Sequence, residues 1–384
     1  MKHSDRGWLR GRLVGALGLA VLAACGGGGG DGDQSPAFQP TRIVSFGDSL
    51  SDVGSYRTAG MVAFVNTKNS FPLAETTHTG KFTVNSPDAK NWIELIAAQF
   101  GVAAPCPAQT GLTPPTGSPL AGVGATPTDH TECFAYGQGG ARVTNPVGPG
   151  NALLGVANGA PGQLTTPLVT QVAKHLAKNT GGAGKFASGE LVLVLAGGND
   201  LFINASVFAA TVGAGGDATA AATAAVTAMT IAGTELATLV KAQMVAKGAA
   251  HVVVVNLPDV SLTPAFRGGA AQALALGMTQ AFNGALAAGL STAGSGVLLV
   301  DAFTQSQDQF AHPAQYGLSN VTTRACVKDT TVILYDSALV CNTKTVGTAD
   351  VSTFQYADDV HPTPYGYKLL AQLVTDRMAK AGLL

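Results

Sequence analysis

Two spacings of apolar residues alternate along this chain. Short, nearly unbroken apolar runs occur at Ile43-Val44-Ser45-Phe46, at residues 191–196 (Leu-Val-Leu-Val-Leu-Ala), at 251–256 (His-Val-Val-Val-Val-Asn) and at 297–301. Runs of that length read as strands buried on both faces, as in the middle of a parallel sheet. Between them lie stretches that read as helices: 91–100, 163–178 with Leu164, Leu168, Val172 and Leu176 on one side, 218–247, 270–290, and 364–381 with Pro364 in its first turn. Strands alternating with helices predict an α/β domain with a doubly wound parallel sheet. The stretch 218–247 is long and apolar, but Glu235 and Lys241 interrupt it, so it is read as a helix of the domain and not as a membrane span.

The polar stretches break this rhythm. Residues 51–91 hold Phe64, Phe71 and Phe82 among Thr, Asn and Gly, and read as a loop-rich insertion. Residues 103–128 are rich in Pro, Gly and Thr and read as a loop, and 134–142 as a glycine-dense turn. Residues 310–350 read as irregular. No internal repeat is evident, so one domain over 41–384 with loop insertions is expected.

The N-terminus follows different rules. Lys2, Arg6, Arg10 and Arg12 precede an apolar stretch at 13–24 that is too short to span a bilayer, the pattern of a secretory signal over 1–24. Its end, Leu22-Ala23-Ala24-Cys25, resembles a bacterial lipobox. That resemblance implies cleavage before Cys25, lipidation of Cys25 and, with Gly26 next, the outer membrane of a Gram-negative cell. Residues 25–40 are glycine-rich at first and read as a flexible tether.

Charge and cysteine content narrow the compartment and partners. Formal net charge is -1, and charged residues make up 12% of the chain, which leaves no basic face for nucleic acid. Apolar residues at 46% suffice for a packed core. With Cys25 lipidated, Cys106, Cys133, Cys326 and Cys341 remain, and an exported chain can pair them. Proximity favours Cys106–Cys133 and Cys326–Cys341, although three pairings are open. No His/Cys spacing points to a metal, and no cofactor is called for.

The candidate chemistry sits where the first strand ends, at Gly47-Asp48-Ser49. A serine just past the carboxyl end of a central strand lies where open α/β sheets bind ligands. It becomes a nucleophile only when a base takes its proton. Near the C-terminus, Asp358 precedes His361 by three residues in a Pro-bounded segment. Such a turn can set the carboxylate on one ring nitrogen and leave the other for a serine. Each residue alone also has a plainer use. Ser49 and Asp48 could serve the local backbone, Gly139 and Gly140 could form a turn, Asn199 and Asp200 could cap a helix, and Asp-x-x-His could be a cap and a surface histidine.

Four blocks in order make the pattern specific. Phe46-Gly47-Asp48-Ser49-Leu50-Ser51-Asp52, Gly139-Gly140-Ala141-Arg142, Gly197-Gly198-Asn199-Asp200 and Asp358-x-x-His361-Pro362 resemble the blocks of the GDSL, or SGNH, hydrolase family. Val255-Asn256-Leu257-Pro258-Asp259 and Phe282-Asn283 also look like family segments. The resemblance implies a three-layer α/β/α, flavodoxin-like fold around a central parallel sheet. It implies Ser49 as nucleophile, His361 as general base and Asp358 as its orienting acid. It implies an oxyanion hole from the Gly140 N–H, the Asn199 side-chain amide and the Ser49 N–H. One departure is Ala135-Tyr136-Gly137, where family members often carry Asn-Tyr-Ala, which leaves Gly139 open as a donor in place of Gly140. A G-x-S-x-G elbow is absent around Ser49.

The expectation is an exported, lipid-anchored serine ester hydrolase acting on lipid or short acyl esters. Phospholipase, acyltransferase or carbohydrate deacetylase chemistry on the same fold is the alternative, and a non-catalytic envelope lipoprotein is a further one. Phe64, Phe71, Phe202 and Phe208 are candidates for an acyl pocket.

Overall fold

In the computed structural model, residues 38–68, 79–118, 120–155, 161–327 and 337–384 are described. The signal at 1–24, Cys25, most of the tether and Phe71 lie outside them. The chain order is β1 (Arg42–Gly47), α1 (Ala59–Lys68), α2 (Trp92–Gln99), β2 (Gln109–Leu112), β3 (Ala125–Asp129), α3 (Leu168–Ala177), β4 (Glu190–Leu195) and α4 (Gly198–Gly213). There follow α5 (Ala218–Leu239), β5 (His251–Val255), α6 (Gln272–Leu290), β6 (Val297–Val300), α7 (Ala302–Ala311), β7 (Asn320–Arg324), β8 (Phe354–Tyr356) and α8 (Pro364–Lys380).

The central sheet runs β1-β4-β5-β6, every neighbour parallel. Beyond β1, the short segment around Ala135 bridges Ser45 in parallel, with Ser45 N–H donating to Phe134 O and Tyr136 N–H to Ser45 O. Counted as a reduced second strand, it makes the order 2-1-3-4-5, the flavodoxin-like arrangement. β4 is buried along its whole length, which is why its sequence does not alternate.

Its side chains nonetheless divide by parity between two cores. Val192 and Val194 face Met229, Leu236, Met278 and Phe282 of α5 and α6. Leu191, Leu193 and Leu195 face Trp92 and Ile96 of α2 and Tyr367 and Val374 of α8. Three layers result, α/β/α. The α5 helix and its continuation to Lys247 are long and apolar enough to cross a membrane. Here their apolar side packs on α6, closely enough that a Cβ on Gly233 would lie 2.4 Å from Phe282 O.

Several sequence-based boundaries shift for identifiable reasons. The helix expected over 163–178 begins only at Leu168, with Pro167 as N-cap. Proline disfavours helical geometry in the residue before it and suits a helix start, and Leu164 packs elsewhere. The helix expected over 218–247 loosens into a π turn at Val240–Met244 and a 3-10 turn at Val245–Lys247. Residues 103–128 are not all loop, since β2 and β3 pair there. Residues 310–350 include β7, which pairs with β8. Phe38, placed in the tether by sequence, already packs its ring 3.9 Å from that of His251.

The insertions share a core of their own. Tyr56, Met61 and Phe82, Leu112 and Leu120, and Leu339 with the Cys326–Cys341 pair form a third apolar cluster. That cluster builds a wall beside the carboxyl end of the sheet.

Candidate active site

The site begins with how β1 stops. Gly47 is pinned by Gln171 of α3, whose amide accepts from the Gly47 N–H at 2.9 Å and donates to its carbonyl at 2.8 Å. A Cβ on Gly47 would lie 2.4 Å from Leu195 O, so only glycine lets β1 lie this close to β4. Asp48 then caps a 3-10 turn, Ser49–Ser51, by accepting from the Leu50 N–H at 3.0 Å. Burial pushes the Asp48 carboxyl up to about 7, with Asp200 adding to the shift and the Leu50 N–H and His361 opposing it.

His361 Nε2 lies 2.8 Å from Ser49 Oγ, across 312 residues of sequence. Its Nδ1 faces both Asp358 oxygens, at 2.8 and 2.9 Å. Asp358 also accepts backbone N–H bonds from Val360 at 2.9 Å, His361 at 2.7 Å and Ala338 at 2.6 Å. Burial alone would raise its pKa, but the His361 charge and hydrogen bond, with the Val360 and His361 N–H groups, outweigh that and hold it far below the usual carboxylate range. Phe82 lies against the His361 ring, with centroids 4.9 Å apart.

The opposite side comes from the carboxyl ends of the bridging segment and of β4. Gly140 has φ +79°, and a Cβ there would meet Pro149 O at 2.2 Å. Asn199 is at the start of α4 and donates one amide hydrogen to Ala141 O at 2.8 Å, leaving the second. Asp200 holds the same loop, accepting from Arg142 Nε at 2.9 Å and the Val143 N–H at 3.0 Å. The Gly139 N–H is used by Asp52 Oδ2 at 3.0 Å, so it is not available as a donor in place of Gly140. Among the described residues, the N–H groups of Ser49 and Gly140 have no acceptor in the protein.

Ser49, Gly140, Asn199 and His361 all line one cleft of about 570 Å³. Met61, Phe82, Leu120, Phe202, Phe266 and Leu339 make its apolar walls, and no Asp, Glu, Lys or Arg lines it among the described residues. Of the aromatic residues singled out from sequence, Phe202 is in this wall, stacked on Phe266 at 6.0 Å. Phe64 is buried in the third cluster and Phe208 lines a separate hollow on α4 and α5, so neither forms the pocket. Ala338, whose N–H holds Asp358, carried no signal in the sequence, because a backbone donor has none. Cys106 pairs with Cys133 and Cys326 with Cys341, which closes the choice among three pairings. Two disulfides fit a protein held outside the cytoplasm.

With this arrangement, the sequence matches the GDSL-like lipase/acylhydrolase family over residues 43–374, and the chain belongs to that family of ester-bond hydrolases. It is similar to Esterase EstA of Pseudomonas aeruginosa and to Esterase EstA of Pseudomonas putida, at 32% identity over 131 residues in each case. Each match covers 32% of this chain and 19% of the relative, so the chain spans about a fifth of the length of those esterases.

Proposed function

We propose that the chain is an exported serine ester hydrolase acting on uncharged acyl esters through Ser49, His361 and Asp358. The observation that carries this reading is the continuous hydrogen-bonded line Ser49–His361–Asp358 opening onto a cleft that also receives Gly140 and Asn199. Ser49 Oγ attacks the ester carbonyl while His361 Nε2 takes its proton. The negative oxygen that develops meets the N–H groups of Ser49 and Gly140 and the second amide hydrogen of Asn199. His361 returns the proton to the leaving alcohol, which departs and leaves an acyl-enzyme. Water, deprotonated by His361, then releases the acid. Asp358 stays ionised throughout, holding the ring in the tautomer that can accept from Ser49.

Among the described residues the cleft wall carries no Lys or Arg to pair with a phosphate, which favours neutral lipid or short acyl esters over phospholipids. Lipidation of Cys25 and an outer-membrane location belong to the same proposal and rest on the lipobox-like Leu22-Ala23-Ala24-Cys25. The test is Ser49→Ala assayed on a chain-length series of p-nitrophenyl esters, with a fluorophosphonate probe alongside. Turnover should vanish, and the probe should label the parent protein but not the variant. Parent-like turnover by the variant would overturn the mechanism.

A further inference from the structure

The peptide unit joining Gly139 to Gly140 is held in an unusual way. It carries the Gly139 carbonyl at one end and the Gly140 N–H at the other, and its planarity makes the direction of one fix the direction of the other. The carbonyl accepts from Tyr56 OH at 2.7 Å. In the amide orientation that satisfies its neighbours, Gln163 donates to the same carbonyl at 3.2 Å. The preceding N–H, of Gly139, is anchored on Asp52. Asp52 in turn accepts from the Gly54 and Ser55 N–H groups at 2.8 and 2.7 Å, so it cannot turn away without breaking its own loop.

We propose that Tyr56 is a positioning residue for the reaction, its hydroxyl aiming and polarising the Gly139–Gly140 peptide so that the Gly140 N–H is a strong donor to the oxyanion. The inference rests on the serine-hydrolase reading above and deepens it. Tyr56 is fully buried, and its oxygen accepts from the Leu164 N–H at 3.1 Å, which leaves its single hydrogen for the Gly139 carbonyl. A donor on the carbonyl end of an amide draws electron density from its N–H, and chained hydrogen bonds in a dry site strengthen one another by roughly 10–30%. Burial, with the neighbouring Asp52 charge, raises the phenol well above its ordinary value, which favours the protonated, donating form. Tyr56 is not among the residues that line the cleft, so its effect passes through the peptide.

The experiment is Tyr56→Phe, which removes one oxygen and keeps the ring in the third cluster. The expected result is a kcat lower by roughly 5- to 10-fold with KM for a p-nitrophenyl ester unchanged, as for one neutral hydrogen bond lost. Affinity for an alkyl boronic acid, whose tetrahedral, anionic Ser49 adduct puts a boron-bound oxygen in the hole, should weaken by the same factor. A variant that loses thermal stability but keeps parent kcat and boronate affinity would make Tyr56 a strut of the fold and overturn the proposal. So would a fall in kcat without a matching loss of boronate affinity. Should Tyr56→Phe fail to fold, 3,5-difluorotyrosine at position 56 keeps the shape and makes the hydroxyl a stronger donor. Its kcat should equal or exceed the parent value, and a decrease would refute the idea. Ser49→Ala separates the two levels. An active Ser49→Ala protein removes the mechanism itself, whereas an inert one beside an unaffected Tyr56→Phe removes only the role of Tyr56.

Discussion

Replacing Cys326 and Cys341 together by alanine should cost both stability and turnover, for separate reasons. The bridge closes a loop of 15 residues. Loop-closure entropy in the unfolded chain puts its contribution at about 3 kcal/mol. The same bridge brackets Asp358, the acid of the proposed Ser49–His361–Asp358 relay. The Cys326 N–H donates to the carbonyl of Ala357, the residue before Asp358. Three residues before Cys341, the Ala338 N–H donates to Asp358 Oδ2 at 2.6 Å. Asn85, fully buried, holds the Cys341 end through its own N–H and a side-chain amide 2.8 Å from Cys341 O. A backbone bond to a buried carboxylate contributes about 1.5–3 kcal/mol. If opening the bridge lets Ala338 drift, kcat should fall roughly 10-fold or more. The assay is chemical denaturation for stability and initial rates on a p-nitrophenyl ester well below the unfolding transition. The Cys106→Ala/Cys133→Ala pair is the control. Its 27-residue loop gives about 3.5 kcal/mol by the same entropy, but it holds no group of the relay, so kcat should stay within about twofold of the parent. Parent kcat in the Cys326/Cys341 variant would refute the link to Asp358. An equal loss in the control would show general loosening instead.

Asn199→Ala should lower kcat by about 10²- to 10³-fold with a small change in KM, because the amide is asked to act on the charged intermediate, and an equal rise in KM would argue for ground-state binding instead. Asp48→Asn should flatten the pH dependence of stability. The folded pKa of about 7 lies above the unfolded value, so folding takes up a proton between the two and stability falls as pH rises from about 4 through about 7. Thermal melts of parent and variant with the same slope across that window would count against a buried, perturbed Asp48. Cys25→Ala should release the protein from membranes into the soluble fraction of expressing cells, and a variant that still partitions into detergent would remove the lipid anchor.

The elements of the sheet were legible because each is a local statement. β4 from Leu191 and β5 from Val252 are apolar to their ends, as a stretch buried on both faces requires. The glycine before Asp48-Ser49 and the Asp358-x-x-His361 spacing were legible for the same reason, since both describe turns within a few residues. Helix α3 starts at Leu168, later than its apolar spacing back to Leu164 predicts, because Pro167 and the third cluster decide where it begins. The wall of the cleft leaves little trace in the sequence. Met61, Phe82, Leu120 and Leu339 come from separate polar-looking insertions, and no local pattern says that they meet.

From the sequence alone, this protein's family, its parallel sheet and the candidate chemistry of Ser49, Asp358 and His361 could be read, because short-range spacing encodes them. Only the tertiary structure could decide that His361 Nε2 reaches Ser49 Oγ across 312 residues. It alone assigned the Gly139 N–H to Asp52, left that of Gly140 without a protein acceptor, and set Ala338 on Asp358. Those contacts are made by backbone groups, which every residue carries alike, so they acquire an identity only when the fold brings them together.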